Sequence, residues 1–167
     1  IAFGDRAEML GGSGLAAALY KEFGDPAAPA YDPKQPLIFA IGPLTAAFPL
    51  MSKVVCGFKS PYNEQYAETH AGGRLALSMR FSGYDALVFT GRAKTLSCVV
   101  AGSRRMEIHD VHYLRGVQAF SAGKHFRKFG KTSSGHRSMM RIGPAGENLV
   151  NYACINVDTY RHFGRLG

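Results

Sequence analysis

One phrase occurs twice in this chain. Ile41-Gly42-Pro43 is followed downstream by His70-Ala71-Gly72-Gly73-Arg74-Leu75, and Ile142-Gly143-Pro144 by His162-Phe163-Gly164-Arg165-Leu166. If the repetition reflects duplication, the fold must place two glycine-rich turns in equivalent settings. Around a pseudo-twofold axis such turns form two binding half-sites, suited to one symmetric ligand or to two copies of a smaller one. The alternative is coincidence. Ile-Gly-Pro is short, the chain holds 20 glycines, and a short match by itself does not separate the two readings.

Between and around the phrases the chain breaks into short elements. Gly11-Gly12-Ser13-Gly14 precedes an Ala/Leu-rich segment, Leu15 to Phe23, that reads as a helix ending at Gly24. The glycines form either an anion-binding loop or a flexible entry into a packed helix. A proline-rich loop from Asp25 to Pro36 leads to a buried strand, Leu37 to Ile41, and Lys53 to Phe58 alternates as a second strand before a turn at Lys59-Ser60-Pro61-Tyr62-Asn63. Leu75 to Phe81 is a short helix, Tyr84 to Thr90 a strand, and Leu96 to Ala101 with Arg105 to His109 a hairpin across Gly102-Ser103. Val117 to Phe129 has near-helical apolar spacing. Ser138 to Ile142 reads as a strand, Pro144 to Asn148 as a loop where Glu147 and Asn148 serve caps or turns, and Leu149 to Val157 as extended chain. Many strands, few helices and no regular β-α alternation predict an α+β fold with largely antiparallel sheets.

Composition narrows the class. Hydrophobic residues make up 46% and charged residues 19% of 167 residues, which suits one domain with a real core. Both ends read as cut or processed, since the chain opens on Ile1 and stops just after the second phrase. No apolar run approaches the ~20 residues of a membrane span, so a cytoplasmic protein is expected. Cys56, Cys98 and Cys154 are far apart, sit among apolar neighbours and lack C-x-x-C spacing. They read as reduced core thiols rather than ligands of zinc or of an iron–sulfur cluster. A net charge of +8 and the stretch from Lys124 through Arg127, Lys128 and Lys131 to His136, Arg137 and Arg141 raise nucleic-acid binding. The same residues suit the solvated face of an amphipathic helix, and positive charge equally suits a phosphorylated cofactor or an acidic electron-transfer partner.

Seven phrases in order carry a family resemblance: Gly11-Gly12-Ser13-Gly14-Leu15-Ala16-Ala17, Ile41-Gly42-Pro43-Leu44-Thr45, Lys59-Ser60-Pro61, His70-Ala71-Gly72-Gly73, Phe81-Ser82-Gly83-Tyr84-Asp85-Ala86, Ile142-Gly143-Pro144-Ala145-Gly146-Glu147-Asn148-Leu149-Val150 and Arg161-His162-Phe163-Gly164-Arg165-Leu166-Gly167. The whole chain, 1–167, resembles the N-terminal domain of the aldehyde ferredoxin oxidoreductase family of tungsten enzymes. The resemblance implies two intertwined repeats forming a saddle-like base of antiparallel sheets. On that base lie two pyranopterins that ligate one tungsten, or molybdenum, atom.

Residue by residue, the resemblance implies a phosphate contact at Lys53, where the family often has Arg. It implies a magnesium ion bridging the pterin phosphates through the backbone carbonyls of His70 and His162. It further implies close cofactor approach at Ala71, Gly72, Gly73 and Gly164, with Arg74, Arg161 and Arg165 beside it. Two departures bear on the phosphate contacts: Ser13 stands where an Arg is frequent, and the spacing from Pro43 to Lys59 is contracted.

The implied whole-enzyme reaction is oxidation of an aldehyde with water to a carboxylate, electrons passing through a 4Fe-4S cluster to ferredoxin. Cluster cysteines and acid/base residues belong to family domains this chain does not contain, so the isolated chain is expected to be inactive. Its partners are then those remaining domains or a catalytic partner subunit, and its exposed cofactor face favours a homodimer when it stands alone. A noncatalytic pterin carrier or assembly protein is the alternative, and a basic nucleic-acid-binding module ranks below both.

Overall fold

The computed structural model describes residue 9 and residues 11–102, 105–129 and 137–164. Among these, four α-helices accompany nine strands: α1 Gly11–Phe23, β1 Leu37–Ile41, β2 Val54–Lys59, β3 Tyr66–Ala71, α2 Leu75–Phe81, β4 Ala86–Phe89, β5 Ser97–Gly102, β6 Arg105–Asp110, α3 Ala119–Phe126, β7 Met140–Arg141, α4 Pro144–Glu147, β8 Ile155–Val157 and β9 Arg161–Phe163. The strands form three sheets, ordered β3-β2-β1-β4, β5-β6 and β7-β8-β9, and every pairing is antiparallel. The fold is α+β, as the sequence predicts.

The four-stranded sheet is covered on both faces because its central strands are apolar on both. Alternation sends Ile38 and Ala40 of β1 and Val55 of β2 toward Leu15, Ala16 and Leu19 of α1. Phe39 and Ile41 of β1, with Val54, Cys56 and Phe58 of β2, face the other way, against Leu75, Ala76 and Met79 of α2 and against Ile155, Val157 and Phe163 of β8 and β9. The second small sheet therefore closes the core of the first. A third cluster, Val111, Leu114 and Ala122 with Leu96, Cys98, Val117, Phe126 and Phe129, joins the β5–β6 hairpin to α3.

Several elements differ from expectation, each for a local reason. The glycine run at residues 11–14 is the first turn of α1, not a loop ahead of it. A Cβ at Gly12 would stand 2.7 Å from Val55 Cγ2 and 3.3 Å from the Ala40 carbonyl oxygen, so glycine lets the helix lie directly on the sheet. Strand β3 is an element that the sequence pattern does not predict. It follows the turn Ser60–Gln65, closed by Ser60 N–H to the Gln65 carbonyl at 2.8 Å, and lies on an edge with mostly polar, alternately exposed side chains. The expected loop at Pro144 is a single helical turn, with proline in the first turn and Asn148 as its C-cap. That turn continues through Val150 N–H to the Ala145 carbonyl and Ala153 N–H to the Val150 carbonyl, which confines the strand expected over 149–157 to Ile155–Val157. The basic helix is likewise shorter, Ala119–Phe126.

The three cysteines sit in three environments, not one core: Cys56 is buried, Cys98 partly buried and Cys154 exposed. Burial pushes the Cys56 thiol well above its ordinary range, and the Cys98 thiol up as well. The folded Cys56 thus ionises later than an unfolded thiol. This contributes stability that is intact below the unfolded value of about 8.5 and is lost as pH rises above it. Iodoacetamide at neutral pH is expected to label Cys154 first, Cys98 slowly and Cys56 only after denaturation. Peptide mass mapping reads the order, and native labelling of Cys56 alongside Cys154 would contradict this core.

Candidate functional site

Strand register shows how the two phrases are related. Ala40, Val55 and His70 stand side by side across β1, β2 and β3; Arg141, Asn156 and His162 stand side by side across β7, β8 and β9. Both are three-stranded antiparallel meanders of the same order. Ile41-Gly42-Pro43 leaves β1 where Ile142-Gly143-Pro144 leaves β7, and each histidine lies on the third strand. The counterparts Ala40 and Arg141 are separated by the same sequence offset as Val55 and Asn156. A helix precedes each meander, with Gly42 approaching the Gly12 nitrogen of α1 and Gly143 the Ala119 nitrogen of α3. Coincidence of two short words does not produce matched register across three strands, so the repeat is structural.

The phrases also meet. β3 and β9 are the edge strands of their sheets and lie against each other. Gly73 has φ +101°, and a Cβ there would stand 2.7 Å from Arg161 Cδ and 2.9 Å from its Nε, so the arginine of the second phrase lies over the glycine of the first. Gly72 and Gly164 are open: nothing lies within 4 Å of where their Cβ atoms would stand. Ala71 is buried in β3, opposite Val54, and Lys53 immediately precedes Val54. Lys53, Gly42 and Gly72 are therefore at one end of the same sheet. Lys53, Arg74 and Arg161 are exposed and form no ion pair among the described residues. Arg165 lies outside the described residues.

The two histidines, both exposed, have different neighbours. His70 Nε2 is 3.2 Å from Glu68 Oε1, which also accepts from Ser13 Oγ at 3.0 Å. His162 Nε2 is 3.1 Å from Asn156 Nδ2. Asn156 is buried, and its Oδ1 accepts from Arg141 Nη2 while its Nδ2 also donates to the Arg161 carbonyl at 3.3 Å. Arg141 is only 7% exposed, beneath Phe120, with its ring contact at 5.4 Å. Desolvation, with a smaller contribution from Arg127, lowers its pKa, and Asp158 opposes the shift. A Cβ at Gly123 of α3 would stand 1.9 Å from Arg141 Nη1, so glycine makes room for the guanidinium. Sequence reasoning did not single out Asn156. The offset that aligns it with Val55 was the available signal.

Other candidates fall away from the phrases. Within the basic stretch, Lys124, Arg127 and Lys128 are exposed but Arg141 is buried, so the stretch is not one cationic surface; Lys131 and His136 lie outside the described residues. Glu147 Oε2 accepts from Gly116 N–H at 2.8 Å, and Asn148 Nδ2 donates to the Pro144 carbonyl at 2.7 Å, both structural roles. A small cavity between Tyr31, Gln35, Leu37, Phe58 and Lys59 lies at the far end of the sheet. Lys59 there is already held by the Pro26 and Ala28 carbonyls at 2.9 and 2.6 Å. No cluster of three or more His, Cys, Asp or Glu side chains among the described residues is grouped to hold a metal. No helix among them is long and apolar enough to cross a membrane.

Residues 3–167 match the family described as "Aldehyde ferredoxin oxidoreductase, N-terminal domain". The chain belongs to this family. It is 33% identical over 161 residues to the tungsten-containing aldehyde ferredoxin oxidoreductase of Pyrococcus furiosus, covering 96% of this chain and 26% of that protein. An aliphatic sulfonate oxidoreductase, WOR-like subunit, of the same organism is 28% identical, covering 89% of this chain and 26% of the relative. The active-site complex BamBC of benzoyl coenzyme A reductase, solved with 1,5-dienoyl-CoA, superposes with a TM-score of 0.87 at 27% identity, over 99% of this chain and 25% of that one. The chain thus spans about a quarter of the length of the relatives it matches.

Proposed function

We propose that this domain seats a tungsten or molybdenum bis-pyranopterin for an oxidoreductase of the aldehyde ferredoxin oxidoreductase family. The observation that carries the proposal is the meeting of two structurally equivalent glycine phrases, with Arg161 of one lying over Gly73 of the other. Two half-sites suit two pterins on one metal. The open backbone at Gly72 and Gly164 fits a flat heterocycle, because no Cβ holds it away. Lys53, Arg74 and Arg161, exposed and in no ion pair among the described residues, suit the phosphates such a cofactor carries.

In this reading Lys53 serves one phosphate as a point charge, and Arg74 and Arg161 offer planar two-point donation. Magnesium, were it bound with the cofactor, would be held by main-chain oxygens of His70 and His162, which suits a hard cation. When bound, the metal–pterin group supplies the redox chemistry, and the protein supplies orientation and charge. Aldehyde oxidation, the 4Fe-4S cluster and ferredoxin docking are assigned to parts of the family's proteins that this domain does not cover. The reading places the protein in the cytoplasm.

The test is elemental analysis for tungsten, molybdenum and magnesium, with fluorescence of oxidised pterin, on protein made in an anaerobic host that synthesises the cofactor. Near-stoichiometric metal with two pterins is expected. Replacing Arg74 by Gln removes one charge-assisted contact of about 1.5–3 kcal/mol and is expected to weaken retention about ten-fold or more without changing the melting temperature. Folded protein that never acquires pterin, alone or with partner domains, would refute the reading.

A further inference from the structure

The two half-sites are equivalent in backbone but opposite in the hydrogen-bonding role of their histidines. We propose that Arg141 and Asn156 form a positioning relay that locks His162 in the Nδ1–H tautomer, so that the second half-site offers a ring donor where the first does not.

The inference follows from what each group is able to do. A guanidinium only donates, so the atom of Asn156 facing Arg141 Nη2 must be Oδ1. A backbone carbonyl only accepts, so the atom facing the Arg161 oxygen must be Nδ2. Both partners fix the same orientation of the amide, which removes the usual ambiguity of an asparagine flip. Asn156 Nδ2 is also the atom 3.1 Å from His162 Nε2. A donor there requires an unprotonated nitrogen, and in the neutral ring the hydrogen then resides on Nδ1.

Burial keeps this arrangement in place. Arg141 is enclosed by Gly123 and Phe120, and Asn156 is 3% exposed on the central strand of its meander. Releasing the amide would leave polar groups buried without partners, which costs about 1–3 kcal/mol for each.

The first half-site has the opposite polarity. Val55 occupies the place of Asn156 and Ala40 that of Arg141, so no relay exists. His70 Nε2 instead faces the Glu68 carboxylate at 3.2 Å, and a carboxylate only accepts, so His70 carries its hydrogen on Nε2. The neutral His70 ring then has only an acceptor left at Nδ1. On the function proposed above, the two halves differ in the ring atom left over for a ligand, an N–H at His162 Nδ1 and an acceptor at His70 Nδ1. The seat therefore distinguishes the two ends of a ligand that is itself nearly symmetric.

The test uses the full chain without cofactor, with 15N-labelled histidine, under mildly alkaline conditions where imidazole is uncharged. Two-bond 1H–15N correlations report which ring nitrogen is protonated, and His70→Gln and His162→Gln variants assign the two rings. His162 is expected as Nδ1–H and His70 as Nε2–H. Asn156→Asp presents an acceptor in place of the donor and should move His162 to Nε2–H without altering His70. Asn156→Leu presents neither and should give mixed tautomers at His162. If an Asn156 variant fails to fold, the wild-type spectrum still decides: Nε2–H or an unbiased mixture at His162 overturns the relay.

Cofactor retention supplies the second readout. Asn156→Leu in loaded protein should retain pterin about two- to five-fold less well, in proportion to the Nδ1–H population lost from the mixed tautomers. Unchanged retention with an altered tautomer would overturn the role in binding. Because the tautomers are read without cofactor, failure of the pterin reading and failure of the relay are separate results.

Discussion

Replacing Phe163 by alanine is expected to lower the stability of the domain by about 3–5 kcal/mol, the cost of deleting a large aromatic side chain from a packed core. Phe163 is fully buried on β9, and its ring centroid lies 5.6 Å from that of Phe39 on β1 at a tilt of 58°. It shares one cluster with Ile41, Val54, Cys56, Ile155 and Val157. The residue thus fastens the second meander to the sheet of the first. Because domains of this size have only about 5–15 kcal/mol in hand, the variant should unfold at a much lower urea concentration. An unchanged slope would show that the same surface is exposed on unfolding. Phe163→Leu, which refills most of the volume, should recover a large part of the loss. A destabilisation under about 1 kcal/mol by Phe163→Ala would mean that β9 does not close this core.

What the sequence disclosed follows from which physical signals are local. Strand β1 was legible because Leu37 to Ile41 is apolar at every position and ends at Gly42-Pro43, the pattern of a strand covered on both faces. The β5–β6 hairpin and α2 were legible for similar reasons, and their observed bounds fall within one residue of expectation. The start of α1 was not, because glycine disfavours a helix on propensity alone. What overrides propensity is contact between Gly12, Val55 and Ala40, residues remote in sequence. Strand β3 escaped because its glutamate, threonine and histidine suit a loop as well as an edge strand, and only pairing with β2 distinguishes them.

The candidate site divides in the same way. His70, Gly72, Gly73 and His162 were marked by the repeated words, and the structure brings both words to adjoining edge strands. That Arg161 lies over Gly73 is a tertiary fact with no trace in either phrase. Asn156 sits in a segment that reads as apolar and extended, where one polar residue gives no sign that it links a buried arginine to a histidine. Duplication makes the difference between the halves informative: where Val55 needs only to fill space, Asn156 must satisfy three partners.

The adjacent glycines of the first phrase are expected to separate stability from cofactor seating. At Gly73 the backbone is left-handed, and a new Cβ meets Arg161 at 2.7 Å. Gly73→Ala therefore carries backbone strain of about 1–3 kcal/mol and displaces the arginine side chain, which is exposed and free to swing away. Both the melting temperature and pterin retention should fall. Gly72 has open space where a Cβ would project, and its φ lies outside the glycine-favouring region. Gly72→Ala should leave stability unchanged or raise it by up to about 1 kcal/mol, since alanine restricts the unfolded chain. If a flat cofactor approaches that backbone closely, the same methyl intrudes on it at about 1–3 kcal/mol and lowers retention about ten-fold or more. A fully folded Gly72→Ala protein with undiminished metal and pterin would show that the cofactor does not approach this turn. Loss of cofactor from an equally stable protein would locate the approach at Gly72, because a methyl group facing open space has no other means of acting.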